Sequence, residues 1–297
     1  MSPPSPQPDI TRRALLIGAM ATVMAPQRIH AGTVALIDAE KQNHPAPGPL
    51  RKISQVHQIL IVDGFGQPAE LPCAITQRIV QLKRLYSDGT YTLWTGNTLR
   101  AFIEVAFDRD VLWAFDCLKP YAYKSDLGRL CLLYAFGGLY SDIMLEHHAT
   151  LRIPSRFGLT AFRQAWAFRP YTGSVSNSLL WSEPHRLEWQ IAIEKIVAHC
   201  RTQFYGQDRL EPTGPWLLGR ACAAAATDKW RAGLPDDQWM GVHYADGPMN
   251  DMVFHTSCLK SKVVAVRPGR SNGDWSKSRL AGTNNYSKMW EAKDVYR

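Results

Sequence analysis

The chain has 297 residues, 45% of them hydrophobic and 20% charged, with a formal net charge of +8. That length buries a sizeable core in one large domain or two small ones, and the composition excludes a collagen, a coiled coil, a disordered tail protein and a polytopic membrane protein. The basic excess suits an anionic partner such as a nucleotide or a phospholipid surface, but the basic residues are scattered, so no nucleic-acid-binding stripe is expected.

The first nine residues are rich in Pro and Ser and nucleate nothing. Thr11-Arg12-Arg13 then leads into an apolar stretch over residues 14–25, shorter than the ~20 residues a membrane-crossing helix needs. A charged start, a short apolar core and a small residue at Ala31 form the pattern of a secretory signal. The Arg12-Arg13 pair resembles a bacterial twin-arginine export signal. A weak membrane-surface anchor and a start codon placed too early are the alternatives. The expected organisation is a signal or membrane-surface segment over 1–31, a linker over 32–49 closed by Pro45, Pro47 and Pro49, and a folded domain over 50–297.

Residues 56–62 form a short apolar run closed by Asp63-Gly64, which reads as a buried strand. A helix is expected over 72–86, where Ile75, Ile79, Leu82 and Leu85 recur at helical spacing. Tyr91-Thr92-Leu93-Trp94 makes a second strand after the Asp88-Gly89 turn, and residues 98–107 a second helix. Next, Leu127, Leu130, Cys131 and Tyr134 fall at i, i+3, i+4 and i+7, the apolar stripe of a helix that Gly137-Gly138 stops. Residues 139–145 follow as a strand. A long amphipathic helix over 184–201 has Pro184 near its first turn, a further helix spans 214–226, and a strand spans 263–266. Strands alternating with helices predict an α/β domain with a largely parallel sheet flanked by helices. Cys73, Cys117, Cys131, Cys200, Cys222 and Cys258 lie far apart, without Cys-x-x-Cys, and read as dispersed buried thiols in a reducing compartment, with disulfides the alternative.

Asp126 and Arg129, three apart, share a helix face away from the Leu127/Leu130 stripe. On its own such a pair is an ordinary surface ion pair, worth roughly 0.2–0.5 kcal/mol. Here the Gly-Gly stop and the next strand bring Asp142 close, and in open α/β sheets ligands bind beyond the carboxyl ends of strands. In a regular strand Tyr140, Asp142, Met144 and Glu146 share one face, offering a ring to stack on a base or sugar and hard oxygens. His147-His148 reads as a solvated strand end.

Lys124-Ser125-Asp126-Leu127-Gly128-Arg129, the helix after it, and Gly137-Gly138-Leu139-Tyr140-Ser141-Asp142-Ile143-Met144 resemble the core of the DXD-containing sugar-transferase family, glycosyltransferase family 32, related to the glucosylating domain of large clostridial toxins. Val56-His57-Gln58-Ile59, Tyr91-Thr92-Leu93-Trp94, residues 177–184 and Thr213-Gly214-Pro215 resemble flanking pieces of that family. The likeness covers roughly residues 53–220, and Trp275 or Trp290 is a candidate for the family's terminal Ser-Trp.

The resemblance implies a GT-A-type nucleotide-sugar-binding fold in a catalytic domain over 50–297. It implies a retaining transfer from a nucleotide diphosphate sugar to a saccharide or glycolipid acceptor, as in polysaccharide biosynthesis. Asp126 would bind ribose or donor-sugar hydroxyls, Arg129 the donor sugar or phosphate, and Tyr140 and Asn177 would line the donor pocket. Asp142 would be the first Asp of the DXD motif and, with Arg129, catalytic. The resemblance also implies Mn²⁺ or Mg²⁺ on the diphosphate, and there the chain departs from the pattern: the second Asp is Met144, a soft thioether unsuited to a hard cation. Three explanations stand open. Glu146 or His147 completes a metal site with Asp142; or basic side chains neutralise the diphosphate without a metal; or the chain is a catalytically degenerate nucleotide- or sugar-binding protein. Donor chemistry places the chain in the cytoplasm or at the inner membrane, while the twin-arginine-like start places it in the periplasm, acting on envelope glycans.

Overall fold

The computed structural model describes residues 49–165, 173–246, 251–256, 262–268 and 282–297. The segment expected over 1–31, all of the linker but its last residue, Cys258 and Trp275 lie outside those residues. The first half of the domain contains β1 (Gln55–Leu60), α1 (Cys73–Leu85), β2 (Thr90–Thr95), α2 (Gly96–Ala106), α3 (Arg109–Cys117), α4 (Tyr121–Phe136) and β3 (Gly138–Ser141). Then come β4 (Glu146–His147), β5 (Leu159–Ala165), β6 (Val175–Ser182), α5 (Leu187–Thr202) and α6 (Pro215–Arg231). The last elements are β7 (Gln238–Asp246), β8 (Asp251–Thr256), β9 (Lys262–Arg267) and α7 (Tyr286–Glu291).

The strands form one sheet in the order β2-β1-β3-β6-β5-β7-β8-β9-β4, flanked by helices, so the α/β class is as expected. Parallel pairing joins β1 to β2 and β3, and β5 to β7. The other five ladders are antiparallel, which makes the sheet mixed rather than largely parallel. The reason lies in the connections. A parallel pair needs a long crossover, which α1, then α2 to α4, then α5 and α6 supply; elsewhere the chain simply reverses.

The expected strand over 139–145 stops at Ser141. Residues 142–145 turn, with the Leu145 N–H donating to the Asp142 carbonyl at 3.1 Å. β3 has β1 and β6 as neighbours, whereas β4 pairs with β9 at the far edge. Four residues join the third strand of the sheet to the ninth, so the sheet curls until its last strand returns beside the third. A regular strand cannot change neighbours in that way. Two further differences are local. The long helix begins at Leu187 with Arg186 before it, leaving Pro184 outside its first turn. Helix α3 was not expected, although Asp108 caps it by accepting from the Val111 N–H at 3.0 Å.

Alternating strand residues feed two cores, as the period of two requires. Ile59, Tyr140, Ala161 and Leu180 pack under α2 to α6. Val56, Leu139, Phe162, Leu179 and Trp181 pack with Leu82 of α1 and with Phe254, Val264 and Ala265 of β8 and β9. Cys117, Cys131, Cys200 and Cys222 are buried free thiols, and Cys73 is exposed.

The Gly-Gly stop is demanded by the sheet. Gly137 and Gly138 have φ of +64° and +88°, and a Cβ on either would come within 2.7 Å of a carbonyl oxygen, from Ser182 or Gln55. His57 fastens the stop to β1. Trp94 Nε1 donates to His57 Nδ1 at 3.3 Å, so the neutral ring carries its proton on Nε2 and donates it to the Gly137 carbonyl at 3.1 Å. Burial lowers this imidazole to about 4, which keeps it neutral.

Candidate active site

Helix α4 is buried on nearly every side from Tyr123 to Leu133, and it leads through Gly137 directly back into β3. Its first turns therefore stand at the carboxyl end of β3, where Asp142 follows. Asp126 and Arg129 are 8% and 4% exposed, so they are not the surface pair that spacing alone would give. Lys124, beside them in sequence, turns into the core and donates to the Phe115 carbonyl.

Arg129 is the hub. Its Nη2 lies 3.1 Å from Asp126 Oδ1, and its Nη1 donates to Asp142 Oδ1 at 3.1 Å and to the Asn177 carbonyl. Its Nε donates to the Ser125 carbonyl at 3.0 Å, and the guanidinium lies 4.6 Å above the Tyr140 ring. Asp126 accepts from Asn177 Nδ2 at 2.6 Å and from Thr213 Oγ1 at 2.7 Å. Tyr140 Oη donates to Asp142 Oδ1 at 2.8 Å. The Asp142 backbone is pinned as well, its N–H on the Ser178 carbonyl at 2.8 Å and its carbonyl accepting from Gln58 Nε2 at 3.4 Å. Four parts of the chain thus converge: the start of α4, the end of β3, β6, and the segment before α6.

One cation faces two carboxylates here. Burial pushes Asp126 up to about 7, with Asp142 adding to the rise and Arg129 and the Thr213 hydroxyl opposing it. Burial also holds the Tyr140 phenol well above its ordinary range, so it remains a donor to Asp142. Asp142 is 23% exposed on its side chain, and its Oδ2 has no partner among the described residues. The opening of the cluster is at that oxygen. Tyr140 itself is buried beneath Arg129, which takes the ring face that a base or sugar would need.

Asp126, Arg129, Tyr140, Asp142 and Asn177 are therefore brought together, and Met144, Glu146 and His147 are not. Met144 packs in an apolar cluster with Ile75, Ile79 and Ile143. Glu146 begins β4 and accepts at Oε1 from Arg78 Nε and Nη2, at 3.1 and 2.7 Å. His147 is buried rather than solvated; its Nε2 meets Ser141 Oγ at 2.8 Å, and burial lowers it to about 4. Among the described residues no group of three or more His, Cys, Asp or Glu side chains has the geometry to hold a metal ion. A soft thioether turned into an apolar cluster and a carboxylate engaged by a guanidinium do not fit the divalent cation of a DXD site. The expected metal pair of Asp142 and Glu146 assumed a single strand face, and the turn at 142–145 abolishes it. Trp290 is also committed elsewhere, its Nε1 donating to the Tyr205 carbonyl at 2.8 Å.

Residues 72–152, from α1 to just beyond β4, match the family described as "Glycosyltransferase sugar-binding region containing DXD motif". That stretch is similar to a glycosyltransferase sugar-binding region. Within the matched residues lie Asp126, Arg129, Tyr140, Asp142 and Arg78, while Asn177 and Thr213 reach the cluster from outside them. A curated relative is "Inositol phosphoceramide mannosyltransferase 3" of Schizosaccharomyces pombe, 26% identical over 156 residues. That match covers 51% of this chain and spans only 39% of the relative's length. Among solved structures, "PaToxG Glycosyltransferase" overlays with a TM-score of 0.43 at 14% identity, over 70% of this chain and 88% of that one.

Spacing within α4 and the Gly-Gly stop pointed to three members of the cluster. Thr213 lies in the Thr-Gly-Pro at the start of α6, but nothing local marks it as a partner of Asp126. Arg78 carried no signal at all, being one basic residue in an amphipathic helix.

Proposed function

We propose that the chain moves a glycosyl unit from a nucleotide diphosphate sugar to a saccharide or glycolipid acceptor, with retention at the anomeric carbon. The observation that carries this reading is the buried Asp126–Arg129–Asp142 cluster inside the matched region, at the carboxyl end of β3. The open Oδ2 of Asp142 is a hydrogen-bond acceptor, which suits a hydroxyl of a ribose or a sugar. The mannosyl transfer in the name of the S. pombe relative supports a mannosyl donor and a glycolipid acceptor. The basic balance supports work at an anionic membrane surface, and the cytoplasm, where nucleotide sugars are made, is the compartment of this reading. No helix among the described residues is long and apolar enough to cross a membrane.

In this reading the bond from the anomeric carbon to the diphosphate oxygen breaks as the acceptor oxygen bonds to the same face. The acceptor's proton passes to the departing phosphate oxygen. The chain's own residues bind and orient. Asp126, held by Asn177, Thr213 and Arg129, fixes donor hydroxyls, and the open oxygen of Asp142 accepts another. Arg129 keeps the two carboxylates in register, so the field at the reacting carbon is set before substrate arrives.

A panel of UDP- and GDP-sugars with glycan and glycolipid acceptors tests this. Transfer of labelled sugar with its anomeric configuration kept is the expected result, and no transfer from any donor sinks it. A second reading, a nucleotide- or sugar-binding protein without transfer, draws on Met144 at the second motif position. Tight binding of a nucleotide sugar without turnover would select that reading.

A further inference from the structure

Helix α1 runs antiparallel to β1. Ile75 packs beside Leu60 and Val62 at the strand's carboxyl end, whereas Leu82 and Tyr86 pack beside Ile53 and Val56 at the other. Arg78, three residues after Ile75, therefore stands at the same end of the sheet as Asp142. Its side chain is 14% exposed, its Nε and Nη2 donate to Glu146 Oε1, and its Nη1 lies 3.7 Å from the sulfur of Met144. A guanidinium carries five N–H donors, and the Nη1 edge of this one meets only a thioether, a weak acceptor. A cation is thus seated against the very residue that replaces the second motif Asp.

We propose that Arg78 supplies the positive charge that holds the donor's diphosphate, so that nucleotide binding by this chain needs no divalent metal. This rests on the nucleotide-sugar reading above. A guanidinium binds phosphate oxygens through paired N–H bonds and stays charged at every working pH. Met144 is what lets it do so. A carboxylate at 144 would lie within salt-bridge reach of Nη1 and occupy it, whereas a thioether leaves that edge available. Glu146 fixes the arginine in place through Nε and Nη2, which leaves the Nη1 edge for the phosphate. A metal at this position would find one open carboxylate oxygen, on Asp142, and a guanidinium repelling it.

Calorimetry on the full chain with UDP and GDP, in EDTA and in Mn²⁺, tests the proposal. The dissociation constants should agree within about twofold between the two buffers, and Mn²⁺ alone should give no binding heat. Arg78→Gln should weaken both diphosphates at least about tenfold in either buffer and weaken UMP and GMP less, because the lost partner is phosphate charge. Arg78→Lys keeps a point charge but not the paired N–H bonds, and should recover only part of the affinity. Met144→Asp alone should bind Mn²⁺ no better than wild type, since its carboxylate pairs with Arg78; combined with Arg78→Gln it should bind Mn²⁺ measurably. Three results overturn the proposal: wild-type nucleotide affinity that rises about tenfold or more with Mn²⁺, unchanged diphosphate affinity in Arg78→Gln, or Mn²⁺ binding by Met144→Asp alone. If neither nucleotide binds in any buffer, the nucleotide-sugar reading itself fails and Arg78 loses its ligand with it.

Discussion

Two clusters of buried charge stand at opposite ends of β3. At its amino end, Arg186 donates to both oxygens of Glu188, at 2.8 and 3.0 Å, and to both oxygens of Asp237. Lys229 of α6 joins the same two carboxylates, and Gln238 Nε2 completes Glu188 at 3.0 Å. Two cations face two anions. Hydrogen bonds from Arg186 are the main reason Asp237 lies below the usual carboxylate range, and Glu188 is held low against its own desolvation. At the carboxyl end, one guanidinium faces two carboxylates, burial drives Asp126 upward instead, and one oxygen of Asp142 is left open. A balanced, saturated knot fastens α5, α6 and β7. An under-neutralised cluster with an open oxygen and a shifted carboxyl is the arrangement on which the proposed function rests.

The largest expected effect comes from breaking the balanced knot. Arg186→Ala leaves Glu188 buried with too little countercharge and should cost about 3–5 kcal/mol in denaturant unfolding. A loss below about 1 kcal/mol would show the two clusters to be alike in kind. Arg129→Ala attacks the unbalanced cluster. Turnover of a nucleotide sugar should fall at least about tenfold, or about 1.4 kcal/mol, while unfolding shows a smaller loss than Arg186→Ala. The reason is that Asp126, already raised to about 7, takes up a proton near neutrality when its cation is removed.

Titration sharpens the same contrast. The folded-state pKa of Asp126 lies above its usual 3.8, so its contribution to stability is fully present below about pH 4 and is lost as pH rises through about 7. Asp126→Asn removes that dependence. Between pH 5 and 8 the variant should gain on wild type by at least about 1.4 kcal/mol, the free energy of a tenfold change in proton affinity, measured as the difference of two unfolding curves. A constant difference across that range would mean Asp126 is ionised throughout. The smallest effect belongs to charge outside both clusters. Arg201 pairs with Asp110 where both side chains are more than half exposed, and Arg201→Ala should shift stability by no more than about 0.5 kcal/mol and leave turnover unchanged.

Much of this cluster was legible because its marks are local. Asp126 and Arg129 are one turn apart, the apolar stripe of α4 repeats at helical spacing, and Gly137-Gly138 stops the helix four residues before Asp142. Neighbours along the chain fix those relations before any tertiary contact forms, and they were enough to place the carboxylates at the end of a strand. The sequence also showed that Met144 breaks the motif, because the chemistry of a thioether does not depend on its surroundings.

What replaces the lost carboxylate belongs to tertiary structure alone. Glu146 looked like a metal ligand because alternation along one strand put it beside Asp142, and that inference failed when the chain turned at Ser141 to change its neighbours in the sheet. Its true partner, Arg78, is 68 residues away, and Thr213 is 87 residues from Asp126. Separations of that size are closed only by the curl of a mixed sheet and the helices packed on it. Residue spacing reports a contact within a turn or a strand; it is silent where the contact exists only because two distant elements share one core.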